Sequence, residues 1–225
     1  MENTDMKIKH AIFDMDGTLT DSNGVWVEGV FHYIDTCCTY KREDLPKEFF
    51  TDVLLGGTAG ALRYLSDRMG DTNTFEEMTR VQMQCVRKGY DTPQKVKKGA
   101  LEFLKRLKEQ GADICVISAT PSDLVEKALG LCGLLPYIDF IISASERKSG
   151  KESPYIFYEA AARMNCDASE CTLFEDAVYS LRTGKSLGMG CVGIEDYYCT
   201  PEARAEMMKI CDLYTDDYSR IELEL

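Results

Sequence analysis

Hydrophobic residues follow two alternating patterns along most of the chain. Short, nearly continuous apolar runs are typical of buried parallel strands. They lie at 10–13, 114–117, 140–142, 172–174, 191–194 and, more weakly, 210–214. Between the later runs, apolar residues recur every three or four positions, as in amphipathic helices. The pairs Ser153-Pro154 and Thr200-Pro201 predict helix starts, since each joins a capping residue to a proline. This alternation predicts an α/β fold, a Rossmann-like doubly wound parallel sheet with helices on both faces.

One long segment departs from this alternation. Between residues 22 and 92 the apolar residues have helical spacing, as in Trp26, Val30 and Ile34, and we find no convincing strand pattern. We therefore predict two domains: an α/β core made of residues 1–21 and 93–225, and an inserted all-helical domain, residues 22–92. The connections near residues 20–22 and 91–93 would act as hinges.

Composition narrows the functional classes. The 225 residues are 44% hydrophobic and 28% charged, which is typical of a folded globular protein. The net charge of −12 disfavours a nucleic-acid partner or an anionic membrane surface. The sequence shows neither a membrane-spanning apolar stretch nor a signal-peptide core at its start, so we expect a cytoplasmic protein. The oligomeric state is not readable from the sequence.

The side chains available for chemistry are mainly carboxylates and lysines. The chain has two histidines, so acid–base chemistry is expected of carboxylates or lysines. It has ten cysteines without a CxxC pair, and several lie in apolar runs, so we expect buried free thiols and no disulfide framework.

Two aspartates follow the first predicted strand, in the segment DMDGTLTD at 14–21. Residues two apart in an extended segment point the same way, so Asp14 and Asp16 can present both carboxylates to one site. Gly17 then permits a sharp turn. Two carboxylates this close attract a hard cation, and Mg²⁺ suits one or two carboxylates together with phosphate oxygens.

Further polar residues follow the other predicted strands. Ser118 ends the second strand, Glu175 and Asp176 end the fourth, and Lys151 precedes the helix predicted at Ser153-Pro154; Lys148 is a nearby competitor for the role of Lys151. The carboxyl ends of parallel strands lie along one edge of the sheet, where ligands bind. We therefore expect these residues to share a site with Asp14 and Asp16.

The sequence resembles the haloacid dehalogenase superfamily, in the β-phosphoglucomutase-like branch of phosphatases and mutases that carry a helical cap after the first strand. Four ordered motifs support the resemblance: DMDGTLTD at 14–21, ICVISAT at 114–120, SGKESP at 149–154 and LFEDA at 173–177. The third departs from the usual GKPxPD, although Lys151 still falls on the family lysine.

The resemblance implies a Mg²⁺-dependent phosphoryl transfer through an aspartyl-phosphate. Asp14 would be the nucleophile and a metal ligand, and Asp16 the general acid and base. The backbone carbonyl of Asp16 and the side chain of Asp176 would complete the protein ligands of the metal, with Glu175 acting through a water. Ser118, the Ala119 backbone and Lys151 would bind the phosphoryl group. Asp16 also argues against dehalogenation, since a halide leaving group needs no proton.

The choice between hydrolysis and mutase chemistry depends on the inserted domain. Phosphoglucomutase relatives carry a histidine where this chain has Trp26, and a Gly-x-Ser-Arg loop where it has Gly57-Thr58-Ala59-Gly60. Arg63 is a candidate replacement for the missing arginine, and its other interpretation is a solvated surface residue. Trp26 is expected to pack inside the cap, with stacking on substrate as the alternative.

We favour a phosphatase acting on a small phosphorylated metabolite, with a sugar phosphate as the expected substrate and phosphoglycolate or a nucleotide monophosphate as open alternatives. A β-phosphoglucomutase-like mutase and a non-catalytic ligand-binding protein are the competing hypotheses. The cap would close as a lid over the substrate, and Trp26, Thr58, Ala59 and Arg63 are the candidates for choosing the leaving group.

Overall fold

The protein chain forms two compact units, Met1–Asp21 with Pro93–Leu225, and Ser22–Thr92. The computed structural model describes residues 7–50, 57–147 and 149–223. Lys148, named above as a competitor for Lys151, lies outside the described residues, as do residues 51–56 of the segment predicted to be helical. Of the helices in the described segments, none has the length and apolar character needed to cross a membrane.

The larger unit is built on a six-stranded parallel sheet. Its strands are β1 His10–Phe13, β2 Asp113–Ser118, β3 Phe140–Ser143, β4 Cys171–Glu175, β5 Gly190–Ile194 and β6 Leu213–Thr215. Their order in the sheet is β3-β2-β1-β4-β5-β6. The chain therefore winds outward from β1 in both directions, and the edge beside the carboxyl end of β1 is the topological switch point, where ligands bind in such sheets.

Helices cover both faces of this sheet, which confirms the predicted doubly wound fold. They are α4 Ala100–Glu109, α5 Ser122–Leu131, α6 Tyr155–Arg163, α7 Val178–Ser186 and α8 Pro201–Ile210. On one face, Ile12 belongs to a buried cluster with Phe157 of α6 and Leu181 of α7. On the other face, Phe13 meets Phe103 of α4 edge to face. Neighbouring residues of β1 thus point into two separate layers of the core.

Aromatic rings form the part of the core directly beneath the first motif. Phe13 and Phe174 are paired residues of adjacent parallel strands. Their rings stack with centroids 4.3 Å apart. Tyr218, near the end of the chain, packs against Phe103 at 5.3 Å, and its hydroxyl donates to the Thr18 carbonyl at 3.1 Å. The C-terminal segment therefore holds the loop that follows β1.

Two of the predicted boundaries are wrong. The weak strand predicted at 210–214 begins later, because Ile210 is the last residue of α8 and β6 starts at Leu213. Ile210 lies three residues after Met207, and both pack on the sheet as residues of one helical face. Helix α6 starts at Tyr155, one residue later than predicted, with Pro154 in the cap position and no side-chain cap. Thr200 does cap α8 as predicted, by accepting a hydrogen bond from the Ala203 N–H.

The smaller unit contains α1 Asn23–Cys37, α2 Thr58–Met69 and α3 Phe75–Gly89. Strands are absent from the described residues of this unit. Thr74 and Glu77 form a capping box at the start of α3, which satisfies two backbone N–H groups reciprocally. Helices α1 and α3 approach closely at Gly29, where an added Cβ would lie 2.9 Å from the side chains of Gln82 and Val86.

All ten cysteines are free, as expected from their spacing. Cys115, Cys171 and Cys191 are buried within strands. Cys37 is exposed at the end of α1, so the expectation of buried thiols does not extend to every cysteine.

Candidate active site

The pairing of β1 with β4 places two carboxylates next to each other at the sheet edge. Phe13 pairs with Phe174, and the Asp14 N–H donates to the Phe174 carbonyl at 3.0 Å. Asp14 therefore lies beside Glu175, one residue beyond the stacked aromatic pair. Both carboxylates are buried, with Asp14 4% and Glu175 0% exposed.

Lys151 bridges these two carboxylates. Its Nζ lies 2.7 Å from Asp14 Oδ1 and 2.7 Å from Glu175 Oε2. The other oxygen of Glu175 accepts hydrogen bonds from the Asp176 and Ala177 N–H groups, each at 3.2 Å. Glu175 thus fixes both the lysine and the turn that leads into α7. A buried charge needs such compensation, and here one cation is shared by two anions.

Asp176 adds a third carboxylate to the cluster. Asp14, Glu175 and Asp176 each offer an oxygen, and these atoms lie within 4.8 Å of one another. Thr18, from the loop after β1, donates its hydroxyl to Asp176 Oδ1 at 3.2 Å. Oxygen donors at this density suit a hard divalent cation.

The electrostatics of the cluster fit a cation of this kind. Burial raises the pKa of Asp14 well above its usual value, and the charge of Lys151 opposes the shift. Burial and then Glu175 raise the pKa of Asp176. For Lys151, burial acts to lower the pKa, but the charges of Asp14 and Glu175 exceed that effect, so its pKa is raised and it stays protonated. A divalent cation among the carboxylates would favour their ionised forms.

The loop after β1 turns sharply at Gly17. This residue has a φ of +87°, a value that glycine adopts without steric cost. Its N–H donates to the Thr20 carbonyl at 2.7 Å, and the Leu19 and Thr20 N–H groups both donate to the Met15 carbonyl. Met15 is fully buried, while Asp16 is partly exposed.

Asp16 has partners of a different kind from those of Asp14. Its Oδ2 accepts a hydrogen bond from Thr120 Oγ1 at 2.7 Å and a longer one from Ser118 Oγ at 3.4 Å. Ser118 ends β2, the strand that lies beside β1 on the side opposite β4. The exposed Ala119 stands between the two hydroxyl residues. Asp14 is thus paired with a cation, and Asp16 is held by neutral hydroxyl groups.

The structure brings six predicted site residues to one sheet edge of the larger unit: Asp14, Asp16, Ser118, Lys151, Glu175 and Asp176. Sequence reasoning gave no role to Thr18 or Thr120, although both stand inside the quoted motifs. The available signal was their position, since Thr18 comes two residues after Asp16 and Thr120 comes two residues after Ser118. The sequence did not show that Thr18 would bind Asp176 and Thr120 would bind Asp16, because these pairs depend on the order of the strands in the sheet.

The cap candidates belong to the smaller unit. Trp26 lies in α1, and its Nε1 donates to the Tyr90 hydroxyl at 3.2 Å. Thr58, Ala59 and Arg63 lie in the first two turns of α2. Arg63 is exposed, and its guanidinium lies 5.3 Å from the centre of the Phe75 ring. These contacts within the unit support the packing interpretation of Trp26 and give Arg63 a structural partner.

Comparison with known proteins places the chain in a family. Its sequence matches the haloacid dehalogenase-like hydrolases over residues 8–188. It is 26% identical over 194 residues to the pyrophosphatase PpaX of Bacillus velezensis, covering 85% of each chain. It is also 26% identical over 223 residues to the validoxylamine A 7'-phosphate phosphatase of Streptomyces hygroscopicus subsp. limoneus, covering 95% of each.

Solved structures share the fold. A variant of CbbY from Rhodobacter sphaeroides, in complex with xylulose-(1,5)bisphosphate, matches with a TM-score of 0.79 at 18% identity, over 96% of this chain and 100% of that one. The β-phosphoglucomutase of Clostridium difficile matches with a TM-score of 0.72 at 20% identity, over 96% of this chain and 93% of that one.

Fold, site and relatives together define a hydrolase that acts on phosphate esters. The chain belongs to the haloacid dehalogenase-like hydrolase family, with the fold of its β-phosphoglucomutase-like branch.

Proposed function

We propose that this enzyme is a Mg²⁺-dependent phosphatase that hydrolyses a small phosphate monoester through a phosphorylated Asp14. The observation that carries the proposal is the contrast between two aspartates only two residues apart. Asp14 is ion-paired to Lys151 at 2.7 Å, whereas Asp16 is hydrogen-bonded to Thr120 and Ser118. Carboxyl groups held in such different surroundings are suited to different roles, one as nucleophile and one as acid and base.

The metal would be held by Asp14, Asp176 and the Asp16 backbone carbonyl, with Glu175 acting through a water. The fit rests on the three carboxylate oxygens that lie within 4.8 Å of one another. When bound, Mg²⁺ supplies positive charge to the phosphoryl oxygens and orients them for in-line attack. Lys151 supplies the second positive charge.

In the first half-reaction a carboxylate oxygen of Asp14 attacks phosphorus, and the bond from phosphorus to the ester oxygen breaks. Asp16 gives its proton to the departing oxygen, which leaves as the neutral alcohol. Lys151 remains beside Asp14 and compensates charge at the phosphoryl group, while Ser118 and the Ala119 N–H would hold its oxygens.

In the second half-reaction water attacks the phosphorus of the aspartyl-phosphate. Asp16, now ionised, takes a proton from that water, and the bond between phosphorus and Asp14 breaks. Inorganic phosphate leaves, and Asp14 and Asp16 return to their starting protonation states. The two steps together consume one water for each ester cleaved.

Sugar phosphates and similar metabolites are the proposed substrate class. Support comes from the relative that is a phosphatase of validoxylamine A 7'-phosphate, while the pyrophosphatase relative makes pyrophosphate a necessary member of any screen. Hydrolysis is preferred to mutase chemistry because Trp26 replaces the mutase histidine and is bonded to Tyr90. Arg63, the candidate phosphate-binding arginine, stacks on Phe75.

The test is phosphate release from p-nitrophenyl phosphate, pyrophosphate and a panel of sugar phosphates, with Mg²⁺ and with EDTA. We expect release with Mg²⁺, none with EDTA, and none from Asp14→Asn at saturating Mg²⁺. Asp216→Asn is the matched control, because Asp216 is exposed and forms a surface ion pair with Arg220. Retained turnover in Asp14→Asn would eliminate the covalent mechanism. Interconversion of hexose 1- and 6-phosphates without net release would establish a mutase, and inactivity on every ester would favour a binding protein.

A further inference from the structure

The threonine that follows β2 makes a close side-chain contact to Asp16. Thr120 is fully buried, and its Oγ1 lies 2.7 Å from Asp16 Oδ2. Ser118 reaches the same oxygen only at 3.4 Å. Hydrogen bonds between oxygens are normally about 2.7–2.8 Å long and weaken beyond about 3.0 Å. Of these two hydroxyl groups, Thr120 therefore makes the stronger hydrogen bond to Asp16.

Ser118 and Thr120 are also engaged differently. Ser118 Oγ accepts the Thr120 N–H at 3.0 Å, and it has one hydrogen to donate. If Ser118 donates that hydrogen to a phosphoryl oxygen, as proposed above, its long contact with Asp16 is lost. Thr120 keeps its bond to Asp16 in that state, so the two hydroxyls can serve two different groups.

The direction of the Thr120 side chain is fixed from several sides. Its carbonyl accepts a hydrogen bond from Ser143 Oγ at 2.8 Å, and Ser143 is the buried last residue of β3. Its N–H is held by Ser118. Because its side chain is β-branched, few χ1 rotamers are open to it. The position of Asp16 is thus connected through Thr120 to the neighbouring strands β2 and β3.

We propose that Thr120 is a positioning residue that holds the Asp16 carboxyl group in place for both proton transfers. The inference rests on the proposed function of Asp16. A hydroxyl suits both halves of the reaction, because it can donate to Oδ2 both when the carboxyl group is ionised and when its other oxygen carries the proton. Thr120 itself neither gains nor loses a proton. Its role would be to keep the acid aimed at the departing oxygen.

The experiment compares two esters of similar shape whose leaving groups differ. Phenyl phosphate releases a phenol, with a pKa of about 10 like that of tyrosine, and so depends strongly on the general acid. The leaving group of p-nitrophenyl phosphate is far more acidic and needs less protonation. Thr120→Val keeps the shape and removes the hydroxyl. We expect the ratio of kcat/KM for phenyl phosphate to kcat/KM for p-nitrophenyl phosphate to fall about tenfold, because kcat/KM reports the step in which the leaving group departs.

Three further variants make the result specific. Thr120→Ser retains a hydroxyl and should restore most of the ratio. Thr172→Val is the control, because Thr172 is a buried threonine at the opposite end of β4 from Glu175, and its ratio should equal that of the wild type. In an Asp16→Asn background, Thr120→Val should change the ratio no further, since the group it positions is already gone.

Several outcomes would overturn the inference. An equal loss of kcat/KM on both esters in Thr120→Val would show a purely structural role, and an unchanged ratio would show that the hydroxyl is dispensable. If Thr120→Val does not fold, Thr120→Ala provides the same comparison with a smaller side chain. Absence of release from both esters by the wild-type enzyme would instead reject the proposed function, so the two failures are distinguishable.

Discussion

Lys151 Nζ and Glu175 Oε2 lie 2.7 Å apart in a site where the glutamate is fully buried and the lysine side chain is 5% exposed. The same ammonium group contacts Asp14. Because one cation compensates two buried anions, the lysine is expected to matter for folding as well as for chemistry. Four predictions follow from this and other contacts of the larger unit.

Replacing Lys151 by methionine should destabilise the protein and abolish turnover. Removing one partner of a buried ion pair leaves its charge uncompensated, at a cost of about 3–5 kcal/mol. The free energy of unfolding should be measured by urea titration in EDTA, where no metal can replace the lost charge. Lys185→Met is the control, since the Lys185–Asp212 pair is exposed and such pairs contribute about 0–1 kcal/mol. Equal costs for the two variants would contradict a special role for the buried pair.

Mg²⁺ should stabilise the folded protein through the acidic cluster. A ligand that binds only the native state raises Tm by mass action. We expect Mg²⁺ to raise the Tm of the wild type relative to EDTA, and Asp176→Asn to lose most of that increase because it removes one of the three clustered carboxylates. Asp216→Asn should keep the full increase. A Mg²⁺ response that survives unchanged in Asp176→Asn would place the metal elsewhere.

Gly99→Ala should cost more than an ordinary substitution of a left-handed glycine. Gly99 has a φ of +77°, and an added Cβ would lie 2.7 Å from the Ser219 backbone nitrogen. Gly111 has a φ of +78° and no atom within 4 Å of the same position. Gly111→Ala should therefore cost about 1 kcal/mol for the backbone conformation alone. Gly99→Ala should cost about 1–3 kcal/mol more because of the clash. Urea titrations of the two variants would measure this difference in the free energy of unfolding.

Asp217 should contribute a pH-dependent part of the stability. Hydrogen bonds from Lys98 and then Ser219 lower the pKa of Asp217 to about 2, against about 3.9 for an unfolded chain. The folded state therefore binds fewer protons between these values. The stabilisation is fully present above the unfolded pKa and is lost as the pH falls toward about 2.

The measurement is Tm as a function of pH for wild type, Asp217→Asn and the control Asp216→Asn. The difference in Tm between wild type and Asp217→Asn should be constant near neutral pH and should shrink as the pH is lowered below the unfolded pKa. A difference that stays constant down to the acid limit of folding would show that the charge of Asp217 is irrelevant.

The sequence by itself determined the type of fold and most of the carboxylates of the candidate site. Short apolar runs become strands because buried parallel strands need apolar residues on both faces, and five of the six runs match the observed strands closely. Asp14 and Asp16 were predictable because the alternation of side chains along an extended segment is a local property. Helix starts were less accurate, since Thr200 caps α8 as predicted whereas α6 begins one residue after its predicted start, with Pro154 in the cap position.

Only the tertiary structure decided which of these residues form hydrogen bonds or ion pairs with one another. Lys151 lies 137 residues from Asp14 along the chain, and Thr120 lies 104 residues from Asp16. Their contacts depend on β1 lying between β2 and β4, which is set by how the whole sheet packs. The Tyr218 hydroxyl donates a hydrogen bond to the carbonyl of Thr18, which lies 200 residues earlier in the chain. Periodicity describes the neighbours of a residue along one strand or helix, whereas the partner of a buried charge or hydroxyl depends on the packing of several elements at once.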